Sequence, residues 1–228
     1  WMPPERYSDG SSFRQELKQL AAAGQLNPAQ LTYAAPRRAV EELYDTSADP
    51  HQLHNLTASA GHAHILERMR DELWKWLKES RDAGFLTEPQ MWELAGEDST
   101  PLQVARNDRL YPLAELLGAA DLVGRREAWP HQLKLLEGEN DGVRYWAAVG
   151  LNAAGHLPAP VREALLNQLS DPSPVVRIEA ATALASHGET ERSLPVLAEG
   201  LTSDVPEVAL HAARAIELLG SAARPLVP

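Results

Sequence analysis

Cysteine is absent from all 228 residues, which removes disulfides, thiolate metal sites and any cysteine nucleophile. The compartment stays open, because exported proteins also exist without cysteine. Long apolar runs are missing too: nothing approaches the roughly 18 residues of a membrane span, and Trp1-Met2-Pro3-Pro4-Glu5-Arg6 lacks the apolar core of a signal peptide. Basic charge is scarce, with 21 Lys and Arg against 32 Asp and Glu and a net charge of −11. Residues 128–228 hold 12 acidic and 7 basic side chains and the remainder 20 and 14, so neither part offers the cationic surface that neutralises phosphates. This excludes nucleic acid as a partner. Position 1 is not Met, and Arg224-Pro225-Leu226-Val227-Pro228 stops where a helix should begin, so both termini read as edges of a longer polypeptide.

What is present is ordinary for a globular protein, with 44% hydrophobic residues. Ser12, with Gln15 three residues on, predicts a helix cap; Phe13, Leu17 and Leu20 share one face, and Gly24 marks the exit. Asn27-Pro28 opens a second helix, which must end near Ala35 because Pro36 follows. Val40 to Asp45 reads as a short strand closed by the turn residues Asp45-Thr46-Ser47 and Asp49-Pro50. From His62 to Arg81, the spacing of Leu66, Met69, Leu73, Trp76 and Leu77 predicts a helix with one buried stripe, capped by Ser59 and ended by Gly84. Residues 87–109 read as a connecting segment.

Glu42-Leu43-Tyr44-Asp45, then Asp49-Pro50, then Asn55-Leu56 forms a spaced signature that resembles the C-terminal region of formylglycine-dependent sulfatases. Trp1-Met2-Pro3 and Arg81-Asp82-Ala83-Gly84-Phe85 are similar to further segments of that family. The resemblance covers about residues 1–92 and implies a small α+β subdomain, short antiparallel strands with a helix packed on them, completing the surface of an upstream catalytic domain. It implies Leu43 and Tyr44 as packing anchors and Asp45 as a turn former. For the whole enzyme it implies a divalent metal, expected to be calcium, a formylglycine made from Cys or Ser in a Cys/Ser-x-Pro-x-Arg motif, and a periplasmic or secreted location. That motif is missing from this chain. Its nearest approach, Ser99-Thr100-Pro101-Leu102-Gln103, lacks the arginine. The expectation is therefore a chain with no catalytic, cofactor-binding or metal-binding residues of its own.

The second half repeats. Val143-Arg144-Tyr145-Trp146-Ala147-Ala148 aligns with Val176-Arg177-Ile178-Glu179-Ala180-Ala181 and with Val208-Ala209-Leu210-His211-Ala212-Ala213, at spacings of 33 and 32 residues. Acidic turns at Asp141, Asp171 and Asp204 precede these units, and helices introduced by Pro130, Pro160 and Pro195 precede the turns. The pattern resembles HEAT repeats, paired helices that bury a core only by stacking. Pro225 would open a further unit, and Arg109–Gly124 reads as the second helix of a degenerate first pair. The expected architecture is mainly α: a sulfatase-like subdomain over 1–95, a linker over 96–108 and an α-solenoid over 109–228.

Other candidate sites have plainer readings. His51, His54, His62 and His64 are close in sequence, but His62 and His64 diverge around a helix start, so the group reads as surface histidines rather than a metal site. Asn55-Leu56-Thr57 is a glycosylation sequon, and Asn55 also belongs to the signature, which favours a structural role. Trp76 and Trp146 read as core, Trp92 and Trp129 as covers for hydrophobic patches, and Arg144 and Arg177 as partners for Asp141 and Asp171. Glu139, Asp141 and Glu179 read as turns and solvated faces rather than an acid–base pair. Two functions compete: a scaffold completing a sulfuric-ester hydrolase, which predicts an exposed apolar face near Leu17, Leu43 and Tyr44, or a HEAT module that binds a protein or polysaccharide.

Overall fold

The computed structural model describes residues 10–34 and 38–226. The readings that rest on Trp1-Met2-Pro3, on Ala35-Pro36 and on Val227-Pro228 lie outside the described residues. The chain forms two compact units, Trp1–Lys75 and Trp76–Pro228.

In the first unit, α1 (Ser12–Ala22) and α2 (Pro28–Ala34) form a helical hairpin. Ser11, one residue before the expected cap, accepts a hydrogen bond from the Arg14 amide, and Gly24 leaves the helix at φ +67° as its position suggested. Asn27 and Gln30 form a reciprocal capping box at the start of α2, each side chain accepting the other's backbone N–H at 2.9 Å. Phe13 and Tyr33 pack ring to ring at 6.4 Å, with the Arg14 guanidinium over Tyr33, yet neither helix has a buried residue.

The expected α+β subdomain is not what folds: no strand occurs among the described residues. A strand exists only through a ladder, and residues 41–45 meet a side chain and a single loop amide instead of another strand. The predicted long helix is present as α3 (Ala63–Ser80), but its apolar stripe is not buried. Met69, Leu73 and Trp76 are exposed, Trp76 at 57%, which corrects the reading of Trp76 as core. Periodicity fixes which residues share a face; whether that face is covered depends on a partner. The helix ends before the expected Gly84, at Arg81, which takes φ +53°.

In the second unit, residues 87–109 carry α4 (Glu88–Ala95) and α5 (Pro101–Ala105), with Met91, Ala95, Val104 and Ala105 buried. Tyr111, fully buried, ties this region together by donating its hydroxyl to the Asp82 carbonyl and accepting the Phe85 amide at 3.1 Å. Burial raises the Tyr111 pKa. Next comes α6 (Leu113–Ala120), inside the predicted span 109–124, packed on the helix Asp141–Ala153.

Three helix pairs follow: α7 (Trp129–Leu135) with α8 (Asp141–Ala153), α9 (Ala159–Gln168) with α10 (Pro174–Ala185), and α11 (Thr190–Leu201) with α12 (Pro206–Leu219). Pro130 and Pro160 sit in the first turns of their helices, where a missing N–H costs nothing. Pro195 lies inside α11, which begins earlier, at Thr190. Pro225 falls within a 3₁₀ segment, Gly220–Leu226.

Packing is continuous along the stack. One cluster joins Leu136, Ala147, Ala148, Leu151, Val161, Leu165, Ala180 and Leu184; a second joins Ile178, Ala181, Leu194, Leu197, Val208 and Ala212. The α10 helix belongs to both, because its alanines let neighbours approach on two sides. Gly150 marks the closest approach. A Cβ there would stand 2.1 Å from Nε2 of Gln132, whose buried amide donates to the Leu122 carbonyl at 2.9 Å. Gly150→Ala should displace that amide and lower stability by about 1–3 kcal/mol; urea unfolding with an unchanged midpoint would contradict the packing described.

Candidate functional site

Two constellations stand out, one in each unit. In the first unit the signature residues build a loop held by side chains. The Leu43 amide donates to Oδ1 of Asn55 at 3.0 Å, Nδ2 of Asn55 donates to the Glu41 carbonyl at 3.0 Å, and the Leu56 amide donates to the Leu43 carbonyl at 2.8 Å. Asn55 thus replaces a neighbouring strand with its own amide. Asp45 closes the turn by accepting the Ser47 and Ala48 amides, and Asp49 accepts the His54 amide at 2.7 Å. That last bond is the main reason the Asp49 pKa is lowered.

Leu43 is the buried anchor, and Arg70 on α3 pairs with Glu41. Leu43, Asp45, Asp49 and Asn55 therefore have mechanical roles, and Asn55, the sequon asparagine, is committed to the backbone. The N–H groups of Glu42 and Tyr44 meet no hydrogen-bond acceptor among the described residues. One edge of the segment is satisfied and the other is open.

The histidines do not converge. His54 lies 3.4 Å from Asp49, His62 bonds Ser59 at 2.8 Å, and no group of three or more ligating side chains could hold a metal among the described residues. Ser59 thus uses its hydroxyl on His62 rather than on a helix amide.

In the second unit the repeats are joined by a polar network. Arg144 donates from Nε and Nη2 to the two oxygens of Asp171, at 2.7 and 2.9 Å, and from Nη1 to the carbonyls of Gly138 and Glu139. Pairing with Asp171 is the largest cause of the raised Arg144 pKa. Asp141 accepts Gln90 Nε2 at 2.7 Å and the Ser173 hydroxyl at 3.1 Å, and the Ser173 amide donates to Asp171. The expected arginine–aspartate pairing is thereby found, across neighbouring turns. Arg177 repeats only the local half, donating to the carbonyls of Asp171 and Pro172, and reaches Glu199 at 3.4 Å instead of Asp204.

Sequence spacing alone could not find Gln90, which comes from α4, 51 residues before its partner. The segment 83–95 also meets α8 through Trp146, whose Nε1 donates to the Phe85 carbonyl at 2.8 Å, and α4 touches α12. Trp146 is half-buried there. Trp129 covers the first cluster as expected, while Trp92 is exposed. Glu179 bonds His211 at 3.1 Å, and nearby Tyr145 has its pKa pushed far above the ordinary phenol value, mainly by burial. Glu139 is exposed and serves through its carbonyl. Ser99–Gln103 begins α5, with Thr100 capping the Gln103 amide.

Two outcomes follow. Asp171→Ala leaves the Arg144 guanidinium buried without its partner and should cost about 3–5 kcal/mol, while Glu199→Ala at the looser joint should cost under about 1 kcal/mol, both read by urea unfolding. Asn55→Ala should speed amide exchange at Leu43 by roughly tenfold; equal rates would show that the side chain does not hold the segment.

Comparison with known proteins divides along the same lines. Residues 130–217 match the model for HEAT repeats. An ulvan-active sulfatase of Formosa agariphila is 33% identical over 88 residues, 39% of this chain and 15% of that protein. The N-sulphoglucosamine sulphohydrolase of Homo sapiens is 49% identical over 45 residues, 20% of this chain and 9% of that protein. The chain therefore spans less than a fifth of the length of these curated relatives. No solved structure matches. The repeat array at residues 130–217 is a run of HEAT repeats, and the likeness to sulfatases is partial.

Proposed function

We propose that this chain is a non-catalytic C-terminal portion of a sulfuric-ester hydrolase, in which residues 1–95 complete the scaffold of an upstream catalytic domain on the same polypeptide. The observation that carries this reading is the poor burial of the first unit. Its buried apolar side chains among the described residues are Leu26 and Leu43, whereas Phe13, Leu31, Tyr33, Val40, Leu53, Met69 and Leu73 are exposed. Burial on that scale does not offset the ordering of some 75 residues, so the unit needs a partner surface. The apolar exposure is not centred where the sequence suggested: Leu43 is buried and Leu17 and Tyr44 are half-buried.

The partial likeness to two sulfatases supports the same reading. In it the nucleophile, the divalent metal and the formylglycine belong to the upstream domain, and the enzyme is exported. The competing reading is a HEAT module for protein or polysaccharide; α4 touches α12 and bonds the head of α8, while Leu201, Val205 and Leu210 of the array stay exposed.

In the isolated chain, amide exchange should be fast across residues 10–75 and slow in α8 and α10. Equal protection in both regions would remove the basis of the proposal. The same preparation should not hydrolyse a chromogenic aryl sulfate, and turnover that survives repeated purification would make the chain an enzyme in its own right.

A further inference from the structure

Two successive joints of the array are built alike except at one position. Arg144 rests Nη1 on the carbonyls of Gly138 and Glu139, and Arg177, 33 residues on, rests Nη1 on the carbonyls of Asp171 and Pro172, which lie 33 residues beyond that pair. Both guanidinium groups are therefore seated in the same pose, with Nε and Nη2 facing the next turn of the array. At the first joint Asp171 stands there and takes both nitrogens. At the second, the spacing of 32 that relates Pro174 to Pro206 and Val176 to Val208 puts Ser203 where Asp171 stood. The turn is preserved: the Ser173 amide donates to Asp171 at 2.8 Å, and the Val205 amide donates to Oγ of Ser203 at 3.2 Å. The second carboxylate oxygen and the charge are lost. Nε of Arg177 meets no acceptor among the described residues, Nη2 has only Glu199 at 3.4 Å, and a cavity of about 220 Å³ lined by Arg177 and Ser203 lies at this joint.

We propose that this cavity binds a small aliphatic carboxylate, whose two oxygens take Nε and Nη2 of Arg177 as those of Asp171 take Arg144. A guanidinium fork matches a carboxylate oxygen for oxygen, which a spherical anion cannot reproduce. The Ser203 hydroxyl accepts from Val205 and keeps its proton to donate to the ligand. Ile178, Val196 and Val208 supply an aliphatic wall for the tail. The volume sets the size: it far exceeds the roughly 10–15 Å³ that one water needs and falls below the roughly 300 Å³ at which pockets for drug-sized molecules begin, so the tail is short. Glu199 opposes the ligand only weakly, because its side chain is 71% exposed and holds Nη2 by one long bond, which leaves it screened by water and free to swing aside. Asp204, the other acidic side chain of the lining, is exposed as well. The site stands whether or not the chain completes a sulfatase.

The probe is sodium butyrate, added to the 228-residue chain at constant ionic strength and followed through the Arg177 Nε–H signal in a nitrogen-edited NMR spectrum, with Arg177→Lys to assign that signal. The signal should move saturably with butyrate and stay still with chloride. Acetate should bind more weakly, by about fourfold for each methylene lost from the aliphatic wall. Ser203→Asp supplies the missing carboxylate on the chain itself, so its Arg177 signal should begin near the butyrate-bound position and no longer respond. Glu199→Gln removes the competitor and should tighten butyrate by about two- to fivefold. A shift that does not saturate, that chloride reproduces, or that survives in Ser203→Asp would overturn the proposal. So would sulfate binding more tightly than butyrate, because the site would then read charge rather than a carboxylate and its tail.

Discussion

The array depends on a carboxylate shared between repeats. Asp171 takes both arms of the Arg144 guanidinium while accepting the Ser173 amide, so one buried side chain holds the end of α9, the start of α10 and the previous unit. Its counterpart Asp141 is satisfied by Ser173 and by Gln90 from α4. Buried charge is tolerated only when fully bonded, so this network restricts the helix pairs to one register and draws in a segment that is not part of the repeats. Where the network lapses, at Arg177 and Asp204, the turn opens into a polar cavity of about 220 Å³ lined by Arg177, Glu199, Thr202, Ser203 and Asp204.

The two units solve the same problem differently. In the array, small residues let helices approach closely, and two core clusters that share α10 run from Leu136 to Ala223. In the first unit, local bonding does the organising: an asparagine side chain, two aspartate turns and a capping box shape the backbone without enclosing a core. Such a unit has a defined loop geometry but little reason to be stable by itself. This is the property expected of a surface piece of a larger domain.

Most of the array was legible in advance. The spacings of 33 and 32 residues, the alanine pairs and the acidic turns identify helix pairs whose equivalents can be aligned residue by residue. The strand expected at 40–45 does not form, because alternation and signature describe a segment's preference while a ladder requires a second segment. The stripe on α3 misled for the same reason: Met69, Leu73 and Trp76 are correctly placed on one face, but nothing among the described residues turns that face into core. Gln90 carried no sequence signal, since a buried glutamine becomes recognisable only once its aspartate is found beside it.

By itself the sequence did not show the helices inside 87–109, but it determined the local features: the second helices of the repeat pairs, the repeat period, the turns at Asp45 and Asp49, and the absence of a sulfatase nucleophile motif. These depend on interactions between residues near one another in the chain. Only the tertiary structure decided which apolar faces are covered, which aspartate meets which arginine, and that α4 is tied to the repeat helices. Burial and ion pairing depend on what arrives from distant sequence, and that is set by packing.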